Sequence, residues 1–237
     1  YHAYRAVDTA THPDHQGKGI FKKLTLDLLS KIQNEGAALV FNTPNGNSSP
    51  GYLKMGWEKW GSLPLKLNFH FGKAAKISET SADWKYAEPI IRTIETAGPL
   101  QPGLTTRLLP GYLHWRYRDS PLFSYQYLSD GENYLLIYRI KDGKMGREFR
   151  ICDFFSTAAF SPRQKKDFSK HIQQRISDSG ARFSSFSGLC YPLQKNLDMG
   201  ILPILKIGPM VTLRKLQENF QPIAQDWAWS LGDLEVF

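Results

Sequence analysis

The chain has 237 residues, 41% of them apolar, and its 30 Lys and Arg residues against 22 Asp and Glu give a formal net charge of +8. That length allows one large or two small domains, and the apolar share excludes a globally disordered chain. No apolar run approaches the roughly 20 residues that cross a bilayer, and Tyr1–Ala10 lacks the apolar stretch of a signal peptide, so no membrane partner is expected.

In chain order, Ala3 to Thr9 reads as a strand in which Tyr4, Ala6 and Asp8 alternate with Arg5, Val7 and Thr9. A turn follows, Thr11-His12-Pro13-Asp14-His15-Gln16-Gly17-Lys18-Gly19-Ile20-Phe21. A Gly-x-Gly turn leading from a strand into a helix leaves backbone N–H groups pointing outward beside the positive end of the helix. Such a cradle suits a pyrophosphate. Residues 20–35 read as an amphipathic helix with Leu24, Leu28 and Ile32 as its apolar stripe and Leu29 beside it; Gly36 supplies the stop. Ala38 to Asn42 reads as a short buried strand, which completes a strand–loop–helix–strand unit. Asn42 to Pro50 is a loop by its Asn, Gly, Ser and Pro content, Gly51 to Met55 a short helix, and Gly56-Trp57 the start of another strand. Leu63 to Phe71 alternates so as to turn Leu63, Leu65, Leu67, Phe69 and Phe71 to one face, and Gly72 to Thr80 reads as a linker.

Further on, Trp84 to Ala97 has helical spacing and Pro99 to Pro110 is irregular. Gly111 to Arg118, aromatic and basic, reads as a short amphipathic helix burying Tyr112, Trp115 and the neighbours of Tyr117, with stacking on bases or a sugar ring as the competing reading. Tyr134 to Ile140 and Glu148 to Phe155 read as a hairpin turning at Lys141-Asp142-Gly143-Lys144. Cys152 and Cys190 form no disulfide framework, suit a reducing cytoplasm, and are expected as small buried residues. The six histidines form no i, i+4 pair and have no Cys nearby, so no metal site is expected. The positive charge suits an anionic partner. Lys and Arg are scattered, however, with Arg163 to Lys166 the densest run, and no nucleic-acid footprint is expected.

The turn at Gln16-Gly17-Lys18-Gly19 resembles the acyl-coenzyme A loop of the GNAT acetyltransferase superfamily, whose pattern is Gln/Arg-x-x-Gly-x-Gly/Ala; here the first Gly directly follows Gln. Asn45, Tyr52, Gly56 and Trp57 resemble the second GNAT motif, Asn-(six residues)-Tyr-x-x-x-Gly-Phe, with Trp in place of Phe. The resemblance implies an α/β (α+β) fold and acetyl-coenzyme A as the cofactor. It implies that Gln16, Gly17, Lys18, Gly19, Ile20 and Phe21 hold the pyrophosphate and that Thr9, Ala10 and Thr11 pair with pantetheine. Asn45 would bond the pantetheine arm, and Tyr52 would protonate the departing thiolate. Asp8 is the nearest carboxylate in sequence and the candidate general base, with an ordinary polar strand residue as the competing reading.

The second half echoes the first. Leu24, Leu28, Ile32 and Gly36 have counterparts in Phe168, Ile172, Ile176 and Gly180, and Met55-Gly56 in Met199-Gly200, at a constant offset of 144 (168 − 24, 180 − 36, 199 − 55). The second loop, Thr157 to Arg163, has no Gln-Gly-Lys-Gly, and Asn196 stands where Tyr52 would repeat. Two GNAT-like mixed-sheet modules are therefore expected. The first, residues 1–76, carries the acyl-coenzyme A loop and lacks its N-terminal strands; the second, 77–237, is degenerate. Tandem arrangements with one working half occur in the superfamily. The implied activity is N-acyl transfer, most simply acetyl transfer in the cytoplasm to an amine of a small molecule, sugar or peptide-like acceptor. The aromatic residues Trp115, Tyr117, Trp227 and Trp229 are expected to shape the acceptor pocket. The competing readings are a GNAT fold that binds without transferring, and nucleic-acid binding through the basic surface.

Overall fold

The computed structural model describes residues 1–7, 9–70, 82–97, 104–190, 203–221 and 227–234. Asp8, Phe71 of the strand read over 63–71, the linker Gly72 to Thr80 with the proposed boundary after residue 76, and Asn196 and Met199-Gly200 of the repeat lie outside the described residues. The chain packs as two units. Tyr1–Leu63 joins Ile207–Ala224 in one, and Pro64–Lys206 joins Gln225–Glu235 in the other.

The first unit holds β1 (Ala3–Arg5), α1 (Ile20–Asn34), β2 (Leu39–Asn42), α2 (Ser49–Lys54) and β3 (Glu58–Ser62). Strands β1 and β2 pair in parallel, as the α1 crossover between them requires. Gly36, at φ 85°, ends the helix where a β-carbon would be strained. The buried face of α1 differs from the predicted stripe. Leu29 and Ile32 are buried, with Phe21 and Leu26 packed against the same cluster, whereas Leu24 and Leu28 are 63% and 58% exposed. Apolar residues lie on two faces of this helix, and only tertiary packing selects between them. Leu24 and Leu28 therefore differ in burial from Phe168 and Ile172, their counterparts at the 144 offset, both fully buried.

The sheet of this unit runs β1-β2-β10-β3, where β10 is Met210–Lys215. A strand from near the chain's end thus lies between two from its beginning, antiparallel to both. Val211 and Thr212 on β10 are fully buried, and Thr212 Oγ1 donates to Asn42 Oδ1, itself buried. A buried amide oxygen needs such a donor.

The second unit holds β4 (Leu65–Phe69), α3 (Glu88–Ala97), β5 (Gln126–Ser129), β6 (Tyr134–Gly143), β7 (Gly146–Ser156), α4 (Pro162–Ser179), β8 (Phe183–Ser187), β9 (Ile204–Leu205) and α5 (Leu231–Leu234). Its sheet runs β5-β6-β7-β8-β4-β9, with only β7 and β8 parallel among these pairs. Along β6, Leu136 and Tyr138 pack with Phe168, Ile172 and Ile176 of α4, while Leu135 and Ile137 pack with Ile90, Ile91 and Ile94 of α3. Period-two alternation therefore divides β6 between two cores. The relation of β4 to β8 here is that of β10 to β2 in the first unit: each is the antiparallel neighbour of the strand that follows the long helix.

Several expectations are corrected. The hairpin closes at Lys144-Met145, not at Lys141–Lys144, because the β6–β7 ladder continues to Gly143 opposite Gly146. Asp142 is used across the ladder instead, accepting from Arg147 at 2.9 Å. In β4 no single inward face forms: Leu65, Lys66, Leu67 and Asn68 are all half-buried and Phe69 is 45% exposed. Over His114–Arg118 the helix is of the wider π form. It buries Tyr117 and leaves Trp115 69% exposed. Trp227 and Trp229 stack on each other at 4.1 Å and are buried, as is Tyr117. Of the four aromatics assigned to an acceptor pocket, three are core residues.

A buried polar cluster anchors α5 within this unit. Tyr117 donates its hydroxyl proton to Asp153 Oδ2, and Arg116 Nη2 donates to Gly232 O at 2.9 Å. Gly232 has no room for a β-carbon, which would fall on the Tyr117 hydroxyl. Asp153 is 7% exposed. Loss of hydration, and then the nearby charge of Asp233, push its carboxyl up to about 7.

Candidate active site

The predicted cradle is built by local hydrogen bonds that leave the amides following it unused. Pro13–His15 forms one 3₁₀ turn, with His12 Nδ1 accepting from Asp14 N at 3.3 Å and Gln16 N donating to Pro13 O at 3.2 Å. The Gln16 side chain donates back to Thr11 O at 3.2 Å and so fixes the entrance. Gly17 and Gly19 are left-handed, at φ 74° and 73°, which makes glycine the fitting residue at both. A β-carbon at either would meet no protein atom within 4 Å, so the space above them is open. Gly19 caps α1, and Lys23 N is the first helical donor, bonding Gly19 O. Among the described residues, the backbone N–H groups from Gly17 to Lys22 take no acceptor. No acidic residue stands in the first turn of α1 to compete for them, and Lys18, Lys22 and Lys23 are exposed nearby. Unused amides at a helix N-terminus attract an anion.

The equivalent end of α4 is closed. There Ser161 Oγ accepts from Gln164 N, and Gln164 Oε1 accepts from Ser161 N, a reciprocal capping box. The 144-residue echo thus has an open helix end in the first half and a capped one in the second.

Beyond β1 the ladder ends with Ala6 N donating to Phe41 O at 3.0 Å. The backbone of Thr9 and Ala10 makes no hydrogen bond among the described residues. Thr9 is nevertheless brought to Tyr52: Thr9 Oγ1 and Tyr52 Oη lie 2.8 Å apart. Tyr52 is 3% exposed and stands on α2 between two edge-on aromatic neighbours, Phe21 at 5.1 Å and Trp57 at 5.0 Å. Asn45 lies in the turn that leads into the same helix, where its backbone oxygen accepts from Ser49 N at 2.9 Å. Its Oδ1 accepts from Asn47 N and Ser48 N, both at 3.0 Å, so its oxygen is committed to the turn. No hydrogen bond links Asn45 to the Gln16–Phe21 loop among the described residues.

Two features of the site escape sequence reasoning. A β-carbon on Gly51 would come 2.7 Å from the Phe21 ring, so this glycine lets the last loop residue lie against α2. A glycine inside a short helix costs stability, and that cost was the available signal. Arg214 of β10 donates to Met55 O, where α2 ends, and its guanidinium lies 5.7 Å from the centre of the Trp57 ring. No sequence signal links positions so far apart.

Comparison with known proteins bears on the fold and on the first sixty residues. Residues 1–60 match the model of the acetyltransferase (GNAT) domain. No curated protein matches the chain. Among solved structures, a GCN5-related N-acetyltransferase from Anabaena variabilis is 14% identical with a TM-score of 0.54, covering 86% of this chain and 53% of its own. A GCN5-related N-acetyltransferase from Kribbella flavida is also 14% identical with a TM-score of 0.54, covering 90% of this chain and 52% of its own. The chain therefore spans about half the length of these two structures. No described helix is long and apolar enough to cross a membrane. The chain carries the mixed α/β fold of the GNAT acetyltransferases, and its match to their domain model lies in residues 1–60, the segment that holds the open amide turn and Tyr52.

Proposed function

We propose that this chain is the cofactor-binding part of an acyl-coenzyme A-dependent N-acyltransferase, most simply an acetyltransferase. The observation that carries this reading is the run of unused N–H groups from Gly17 to Lys22 above two left-handed glycines, in the segment that matches the GNAT domain. A pyrophosphate fits that donor set. Gln16 shapes the entrance through Thr11, and Lys18 adds positive charge. Ile20 and Phe21 open the helix.

Acyl-coenzyme A supplies an acyl group activated as a thioester. The free backbone of Thr9 and Ala10, with Thr11, whose carbonyl already accepts from Gln16, would pair with pantetheine and turn an N–H toward the thioester oxygen. A donor where negative charge develops contributes about 3–4 kcal/mol. Tyr52 would be the general acid for the leaving sulfur, and the NH2 of Asn45, whose oxygen is already bonded, would reach the pantetheine arm. Asp8 is assigned the general base from its place beside Thr9 in the sequence. The acceptor is an amine of a small molecule, sugar or peptide-like compound. The domain organisation proposed is two GNAT-like modules, 1–76 and 77–237, each lending one strand (β4 or β10) to the other's sheet.

The test is thiol release from acetyl-coenzyme A by the intact protein with a panel of amines. Tyr52→Phe should lower kcat by about 100-fold or more and leave coenzyme A binding intact. Unchanged turnover in that variant removes Tyr52 as the acid. Coenzyme A binding with no turnover on any amine favours the alternative, a GNAT fold that binds without transfer.

A further inference from the structure

We propose that Thr9 is a positioning residue for the Tyr52 phenol and that the two hydroxyls work as one unit; this rests on the reading of Tyr52 as general acid. Phe21 and Trp57 hold the Tyr52 ring edge-on from two sides, and the residue is 3% exposed. Its hydroxyl therefore has a fixed place and few polar neighbours. Among the described residues the one hydrogen-bond partner of Tyr52 Oη is Thr9 Oγ1, at 2.8 Å. Thr9 lies just past the last ladder bond of the first strand, where the backbone is free and the side chain is exposed. It thus connects the buried phenol to the place where the thioester would lie.

A phenol that gives up its proton among aromatic rings leaves a charge with little solvation. A threonine hydroxyl either accepts or donates, and can reverse its role by rotating its proton. In the resting state the two hydroxyls share one hydrogen bond, in which either can donate, and it holds the phenol in place. As the acyl–nitrogen bond forms and the carbon–sulfur bond breaks, the Tyr52 proton passes to sulfur and the amine proton passes to the general base. Thr9 then turns its own O–H toward the phenolate oxygen and transfers no proton. Valine keeps the shape of threonine and removes both roles; serine keeps both roles.

The experiment compares Thr9→Val, Thr9→Ser, Tyr52→Phe and the Thr9→Val/Tyr52→Phe double variant of the intact protein, in acyl transfer and in urea unfolding. Thr9→Val should lower kcat at least ~10-fold with KM for acetyl-coenzyme A within ~2-fold, and Thr9→Ser should restore most of it. In the Tyr52→Phe background Thr9→Val should cost no further activity, and the effects on the unfolding constant should be non-additive by at least ~5-fold. Wild-type kcat in Thr9→Val beside a low kcat in Tyr52→Phe overturns the positioning role alone. Additive effects on unfolding overturn the pairing itself. Wild-type kcat in Tyr52→Phe overturns the general-acid reading and, with it, a catalytic part for Thr9.

Discussion

Replacing Asp153 by Asn should change the pH dependence of stability in a way the structure fixes in sign and size. The carboxyl is buried, accepts from Tyr117, and is pushed from 3.8 up to about 7 by loss of hydration and by Asp233. In the unfolded chain it titrates near 4. Between about pH 4 and pH 7 the folded state therefore holds a proton that the unfolded state has lost, so stability falls as pH rises and levels off above about 7. At about 1.4 kcal/mol for each pH unit, the loss from pH 5 to pH 8 comes to about 3 kcal/mol. For a chain of this size that corresponds to roughly 6–12 °C in Tm. Asparagine keeps an acceptor for Tyr117 and carries no charge. The assay is thermal or urea unfolding of both proteins across pH 5–8, read as their difference, which cancels the other titrating groups. Asp153→Asn should match the wild type near pH 5 and exceed it by about 3 kcal/mol at pH 8. Parallel curves would refute a carboxyl that is neutral in the folded state.

Two further substitutions probe the first unit. Gly19→Ala places a β-carbon in open space at φ 73°, so the folding cost should stay near 1–2 kcal/mol while coenzyme A affinity falls more than ~10-fold; calorimetry beside thermal unfolding separates the two, and unchanged affinity contradicts the cradle. Thr212→Val removes the donor that satisfies Asn42 and should cost about 1–3 kcal/mol in urea unfolding, whereas an unchanged midpoint contradicts the β2–β10 pairing.

The βαβ unit was legible because each of its signals is local. The strand precedes a Gly-x-Gly turn, the helix keeps its period from Ile20 to Asn34, and Gly36 stops it. The buried face of α1 is not legible locally, because Leu24 and Leu28 keep helical spacing as well as Phe21, Leu29 and Ile32 do, and burial is set by tertiary packing. Asp142-Gly143 looked like a hairpin turn, yet cross-strand pairing of Asp142 with Arg147 carried the ladder two residues further. The insertion of β10 beside β2 joins residues 170 positions apart, Asn42 and Thr212. Nothing local in the sequence encodes that register. Within the site, motif spacing indicated the Gln16–Phe21 loop and Tyr52. The contact of Thr9 with Tyr52, the clamp by Phe21 and Trp57, and the hold of Arg214 on the end of α2 exist only in the folded chain.

The central claim is that the amides from Gly17 to Lys22 hold the pyrophosphate of coenzyme A. Isothermal calorimetry of the intact protein with coenzyme A, and with pantetheine, which lacks the pyrophosphate, tests it most directly. The account predicts that coenzyme A binds at least ~10-fold more tightly than pantetheine, about 1.4 kcal/mol or more, and that Gly17→Glu abolishes the difference. Equal affinity of the wild type for the two compounds, or a coenzyme A preference that survives Gly17→Glu, would contradict it.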